Sequence, residues 1–295
     1  MRFPRISAIV ISWDGYRGGN VPELLNQLKK QSLEDIEILL VQGFSPCSRA
    51  HNEGAQRAEG EILVFLDDDV SLGHTRVLEN MVKIIIENPR VGLVGASQLL
   101  PPISNWFQRR CSKQLYRSEF PIVNEMVESD MATHACMAVS KQIYVTVGGE
   151  DVNLMKTDDT DFRYKIRSTG YKIVIAPDTW VYHPMPLQLR DLIEKKVDQG
   201  IGQAHDFKYL PDKIYKAPPS NTGTFAMKSR LLSQSLRFMR RFLGSVICFK
   251  FIRVVAMMSF IMGFTQGVLR TKSWFLKKYS HLEGQVHYMK RFKNS

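Results

Sequence analysis

Apolar positions along this chain alternate between two rhythms from the first residues onward. Residues 6–12 form a continuous, β-branched apolar run suited to a buried strand, and 21–31 follow with Val21, Leu24, Leu25 and Leu28 at helical spacing. The pattern predicts a second buried strand at 36–41, a short helix at 50–58, and a third strand at 61–66 that stops abruptly at Asp67, Asp68 and Asp69. This order implies a parallel sheet, because parallel neighbours need a crossover that a helix supplies. A helix at 77–87 and a strand at 91–96 continue the alternation.

The stretch 97–132, with Pro101, Pro102 and Pro121, breaks the rhythm and predicts a long irregular excursion over a site. Regularity returns with a strand at 136–139, a helix at 141–147, a helix at 160–168 stopped by Gly170, two late strands at 172–175 and 180–183, and a helix at 187–209. Residues 211–224, with Pro218, Pro219 and Gly223, read as a linker. The resulting division is a catalytic α/β domain over 1–210, a linker over 211–224 and a tail over 225–295.

Charge sharpens that division. The first 224 residues carry 26 Lys and Arg against 28 Asp and Glu, whereas 225–295 carry 14 basic residues against Glu283 alone. The net +11 therefore resides in the tail. A slightly acidic body and a tail without a recognised nucleic-acid motif exclude nucleic acid as the expected partner. Basic residues interleaved with Phe, Met, Ile and Val suit an anionic membrane surface. The uncharged run 254–269 is short of the roughly twenty residues that span a bilayer, so an interfacial or re-entrant helix is expected, with a helical hairpin packed on the catalytic domain as the alternative. Four cysteines at dispersed positions and an N-terminal apolar run too short for a signal peptide lead to the expectation of a cytoplasmic protein held peripherally at the inner face of the cell membrane.

Ligands of parallel α/β sheets bind outside the carboxyl ends of the strands, where Ser12, Asp14 and the three aspartates fall. Three adjacent carboxylates repel one another and cannot be buried unpaired, so they form either a solvated loop or a site for a hard divalent cation, Mn2+ or Mg2+, that also takes phosphate oxygens. Asp158, Asp159 and Asp161 pose a parallel choice. Negative charge at a helix start is favourable in itself, and the same position orients a carboxylate for general-base work.

Two blocks carry a resemblance. The first runs from Arg49, His51, Asn52 and Gly54 to Asp67, Asp68 and Asp69. The second runs from Gly148 and Gly149 through Asp158, Asp159, Thr160 and Asp161 to Arg167, Gly170, Tyr171, Tyr182 and His183. Together they resemble the donor and acceptor halves of family 2 glycosyltransferases, over about residues 5–205. The resemblance implies a GT-A-like nucleotide-diphospho-sugar transferase fold with a mostly parallel central sheet, here followed by a basic, apolar helical tail. It implies inverting transfer of one sugar from a nucleotide-sugar donor to a hydroxyl of a glycan or lipid-linked acceptor.

Residue by residue, the resemblance makes Asp67 a contact of the nucleotide ribose or the metal, Asp69 the ligand of the metal that bridges the diphosphate, Asp68 the variable middle of the element, and His183 a further metal or diphosphate contact. Asp159 becomes the base, with Asp158, Asp161 and Gly149 on the acceptor side. Ser12, Asp14, Arg49 and Asn52 are expected around the nucleotide. Gln42 stands where many relatives carry an acidic residue, so the base pairing falls to its amide. The chain lacks the QxxRW element of processive synthases, which favours single-sugar addition, and the Gly-rich GxGxR segment of sugar nucleotidyltransferases.

Overall fold

The computed structural model describes residues 5–115, 119–216, 226–227, 231–279 and 283–292. The regular alternation forms as expected: β1 (Ile6–Ser12), α1 (Asn20–Lys29), β2 (Ile36–Gln42), α2 (Cys47–Arg57), β3 (Ile62–Asp67), a short β4 (Ser71–Leu72), α3 (Val77–Glu87) and β5 (Val91–Leu99). Strand β1 pairs in parallel with both β2 and β3. Period-two alternation along these strands divides the core. Ala8, Val10, Val64 and Leu66 pack with Val21, Leu24 and Leu28 of α1 and with Leu78 and Met81 of α3. Ile9, Ile11, Leu63 and Phe65 face the other way. Each such fully buried side chain contributes about 1.5–3 kcal/mol, which is why the apolar run of β1 tolerates no solvent-facing register.

The excursion over 97–132 is more regular than its sequence suggests. It holds α4 (Trp106–Gln114) and β6 (Val127–Glu128), and a bridge joins Gln98 to Phe120. A capping box starts α4: Asn105 accepts from the Gln108 backbone, and the Gln108 side chain accepts from the Asn105 backbone. Only Gln108 and Cys111 of this helix are buried, so no apolar stripe announced it.

Beyond it come β7 (Cys136–Ser140), α5 (Lys141–Thr146), α6 (Asp158–Ser168), β8 (Lys172–Tyr182) and α7 (Leu189–Tyr209). Tyr144, Phe162 and Ile166 from α5 and α6 complete the second core face. The two late strands expected at 172–175 and 180–183 are one strand, β8, whose register against β5 shifts between Gly95 and Ser97. The main sheet runs β2-β1-β3-β7-β5-β8-β4, with β6 also on β8 and a strand from the tail beyond β2. Strands β2, β1, β3, β5 and β8 share one direction and β7 runs against them.

After α7 a short pair, β9 (Tyr215–Lys216) and β10 (Ala226–Met227), precedes α8 (Leu231–Ile247), α9 (Phe251–Val268), α10 (Lys272–Tyr279) and β11 (Gln285–Phe292). Pro218, Pro219 and Gly223 of the expected linker lie outside the described residues. The expectation of a wholly helical tail is corrected at β11, which pairs antiparallel with β2 and extends the catalytic sheet. Val286 there packs on the second core cluster, an alternation hidden among the Lys and Arg of the segment. Helix α9 lies along α7. A Cβ on Gly200 would fall 2.2 Å from the Phe260 carbonyl oxygen and one on Gly263 2.1 Å from that of Val197, so the two backbones meet where only glycine fits.

Candidate active site

The carboxyl ends of β1, β2, β3 and β8 converge on one cleft end, which brings Ser12, Gln42, Asp67 and His183 together, as the alternation required. Ser12 Oγ donates to Asp68 Oδ2 at 2.8 Å. The Asp14 carboxylate accepts from the backbone of Tyr16 at 2.9 Å and of Arg17 at 2.8 Å, bonds that hold it below the usual carboxylate range and close the turn after β1. Gln42 rests its amide against Gly15 in that turn. Trp13 and Tyr16 stand exposed in the same turn.

Asp67, Asp69 and His183 offer one ligand atom each within 4.8 Å of one another. His183 Nε2 lies 3.5 Å from Asp69 Oδ1, and that oxygen is buried with no hydrogen-bond partner, so the carboxylate points a lone pair into the gap between the three side chains. Burial, then the neighbouring Asp69, pushes Asp67 up to about 7. Burial also lowers His183, leaving its imidazole neutral and able to ligate. Two carboxylates and a neutral imidazole fit Mn2+ or Mg2+ with phosphate oxygens on the open side. Arg17 reaches Asp68 and Asp69, both at 3.5 Å, and Lys195 from α7 adds positive charge felt by Asp67 and His183. Neither cation stood out in the sequence.

The second carboxylate group sits at the start of α6. Thr157 is the N-cap and makes no side-chain capping bond, so neither Asp158 nor Asp159 caps the helix. Asp158 is buried, and burial together with Glu150 and Asp159 pushes it up to about 7 against the pull of His134. Asp159 is partly open to solvent and pairs with Arg163, whose Nη1 also donates to the Ala132 carbonyl at 3.0 Å. Asp161 is buried and committed elsewhere, to Lys165 at 3.1 Å and to the Tyr215 hydroxyl at 3.1 Å.

Asn52 and Arg49, both expected around the nucleotide, sit on α2. Asn52 accepts from the Glu150 backbone at 3.0 Å and the Tyr144 hydroxyl at 2.7 Å and donates to the Glu150 carbonyl at 2.9 Å, so its amide is consumed in fixing the turn at Gly149. A Cβ on Gly149 would fall 2.6 Å from the Asn52 oxygen, and its φ is +62°, which together explain the glycine there. Arg49 lies in the first turn of α2, with its Nε buried and unbonded.

Sequence reasoning also passed over Asp206. This fully buried α7 carboxylate accepts from the backbone of Met155, Lys156 and Thr157 at 2.8, 3.0 and 3.1 Å and from the Thr157 hydroxyl at 2.9 Å, so it builds the loop that launches α6. Its signal was absent because a lone aspartate on a helix reads as solvated.

Comparison with known proteins follows this geometry. The family model described as "Glycosyltransferase like family 2" matches residues 6–199. An uncharacterized glycosyltransferase of Haemophilus influenzae is 22% identical over 195 residues, 57% of this chain, and the chain spans only 65% of that relative's length. Among solved structures, a mannosyltransferase from Pyrobaculum calidifontis in complex with GDP-Man and Mn2+ superposes with a TM-score of 0.59 at 16% identity, covering 91% of this chain and 88% of that one. At that identity the likeness establishes the fold, a GT-A sheet.

Proposed function

The chain belongs to glycosyltransferase-like family 2, and we propose that it transfers a single sugar from a nucleotide-diphosphate sugar to an acceptor hydroxyl with inversion at the anomeric carbon. One observation carries this reading. Asp67, Asp69 and His183 form a cluster able to hold a cation at the sheet end, and Asp158 and Asp159 open α6, with His134 acting electrostatically on both groups. Asp67, Asp69 and His183 would hold the divalent ion, which supplies a Lewis acid to offset charge on the departing nucleoside diphosphate. Lys195 and Arg17 add fixed positive charge on the same oxygens. The turn of Ser12, Asp14 and Gln42 seats the nucleoside. Asp159, oriented by Arg163, removes the acceptor proton as the hydroxyl oxygen attacks opposite the leaving group.

The acceptor is a glycan or lipid-linked precursor at an anionic membrane surface. Leu236, Met239, Leu243, Val246 and Ile247 line one exposed face of α8, and Phe249 and Phe251 at its junction with α9 are 74% and 67% exposed. Arg240 and Arg241 stand exposed on the same helix. Helix α9 is long and apolar enough by length and composition to cross a membrane, and the locking of its glycine face on α7 supports a helix laid on the surface rather than one that spans. The reading sets the protein peripherally at the inner face of the cell membrane, and the exposed apolar face and arginines of α8 support it.

The test is a panel of nucleotide sugars offered with Mn2+ and a lipid-linked acceptor. The reading expects metal-dependent turnover of one donor. Donor binding without any turnover would instead identify a silent nucleotide-sugar-binding scaffold.

A further inference from the structure

Beside the carboxylates of Asp158 and Asp159 lies a trio to which the transfer reaction as described gives no contact with substrate. Glu150 is fully buried, and each of its carboxylate oxygens meets an imidazole: Oε2 the His51 Nδ1 at 3.0 Å, and Oε1 the His134 Nε2 at 2.9 Å. The two rings lie 4.1 Å apart between centroids. Asn52 clamps the Glu150 backbone from both sides, so the carboxylate cannot turn away. His51 is wholly enclosed, with its ring edge toward Phe65, whereas the His134 ring is 12% exposed and is the one member of the trio that opens outward.

Position makes that ring consequential. His134 lies on the segment whose Ala132 carbonyl receives Arg163, the partner of Asp159. Its charge acts on Asp67 and on Asp158 and is acted on by Asp159, so both carboxylate groups lie within its electrostatic reach. A buried carboxylate without a cation costs several kcal/mol, and a proton on the trio removes that cost. Burial opposes charge on His134, but Glu150, with Asp159 and Asp158, pushes it up to about 10, while burial lowers His51. The proton therefore resides on the outer ring. With Nε2 spent on Glu150, Nδ1 meets no protein acceptor among the described residues.

We propose that His134 is a substrate-contacting residue of the transfer, held on Glu150 so that its Nδ1–H donates to a hydroxyl of the sugar being transferred, between the Asp67 and Asp69 cluster and Asp159. This rests on the sugar-transfer reading above. A hydroxyl bonded by a charged donor in a partly desolvated cleft is fixed in orientation, which aligns the anomeric carbon with the acceptor and makes that hydroxyl a specificity determinant.

The test uses the full-length protein labelled with 15N-histidine, together with kinetics. At pH 8 both ring nitrogens of His134 should resonate as protonated, and Glu150→Gln should convert the ring to a neutral form. His134→Ala should leave the Mn2+-dependent affinity for UDP or GDP, whichever the native protein binds, within about twofold. It should lower kcat/KM for the nucleotide sugar by about 10- to 100-fold, the range of one charge-assisted hydrogen bond. His134→Gln, which keeps an N–H donor and serves if the alanine variant does not fold, should recover part of the loss. A neutral His134 at pH 8, a nucleotide affinity that falls as far as kcat/KM, an unchanged kcat/KM, or stoichiometric zinc held by the trio in the purified protein would each overturn the proposal. A native protein that turns over no nucleotide sugar would defeat the transferase reading and the sugar contact with it, whereas an active native enzyme with an unaffected variant defeats the contact alone.

Discussion

His183 Nε2 stands 3.5 Å from Asp69 Oδ1, joining the residue after β8 to the turn after β3 past the two intervening strands β7 and β5. With Asp67 completing the set, Asp69→Asn should abolish Mn2+-dependent binding of UDP or GDP in titration calorimetry and lower turnover sharply, with an unchanged circular dichroism spectrum. Undiminished turnover in the folded variant would remove the metal assignment.

The same cluster makes stability depend on pH. Asp67 is raised from 3.8 to about 7, so the folded chain holds its proton more tightly than the unfolded one does. Its stabilising contribution is complete below 3.8 and is lost as pH rises through about 7. His183, lowered from 6.5, acts in the opposite sense below its ordinary value. In EDTA the native Tm should therefore fall relative to that of Asp67→Asn between pH 5 and pH 8, and Mn2+ should raise the native Tm more at pH 8 than at pH 5. Parallel Tm profiles for the two proteins would contradict this.

Asp159→Asn should retain metal and nucleotide binding and lose transfer by roughly 10²- to 10⁴-fold, the range of a general base. Nucleotide binding that falls with transfer would move Asp159 into the donor site, and activity near native would leave the carboxylate with only its helix-dipole role.

Asp206→Ala should strand three backbone N–H groups and the Thr157 hydroxyl in the interior. A loss of about 3 kcal/mol or more in denaturant unfolding is expected, since each orphaned buried group costs about 1–3 kcal/mol. Rate should fall with it, because the loop it holds leads directly into Asp158 and Asp159. A variant as stable as the native chain would contradict the role assigned to Asp206.

What the sequence disclosed follows from what determines each feature. The β1 to β5 alternation was legible because burial on both sheet faces demands continuous apolar runs, and the aspartates at the end of β3 were conspicuous because so few carboxylates follow such a run. Helix α4 was hidden because its stability comes from a capping box and not from an apolar stripe. Strand β11 was masked by the charges of an edge strand. Asn52 and Asp206 act through partners about 50 to 100 residues away, as Glu150 does toward His51, and no local spacing encodes such contacts. Gly263 and Gly267 form a GxxxG spacing too common by chance to signal a contact, yet both meet the α7 backbone closely.

The tail should bind vesicles through two separable terms. Native protein should bind anionic vesicles more tightly than neutral ones, with each basic residue near the surface contributing about 1 kcal/mol. High salt should weaken that binding without abolishing it, because apolar insertion is not screened. Phe249→Ser combined with Phe251→Ser should remove the salt-resistant part. These point variants are preferable to truncation, since β11 belongs to the catalytic sheet. Equal binding to neutral and anionic vesicles would reject the electrostatic anchor and leave α8 and α9 as a packed hairpin.

The most direct measurement of the central claim is the anomeric configuration of the product by NMR, formed from the nucleotide sugar that the enzyme turns over with Mn2+. An α-linked donor should give a β-linked product, with formation dependent on both Asp69 and Asp159. A product that retains the donor's configuration, or one formed equally well by Asp69→Asn and Asp159→Asn, would contradict metal-assisted inverting transfer at this site.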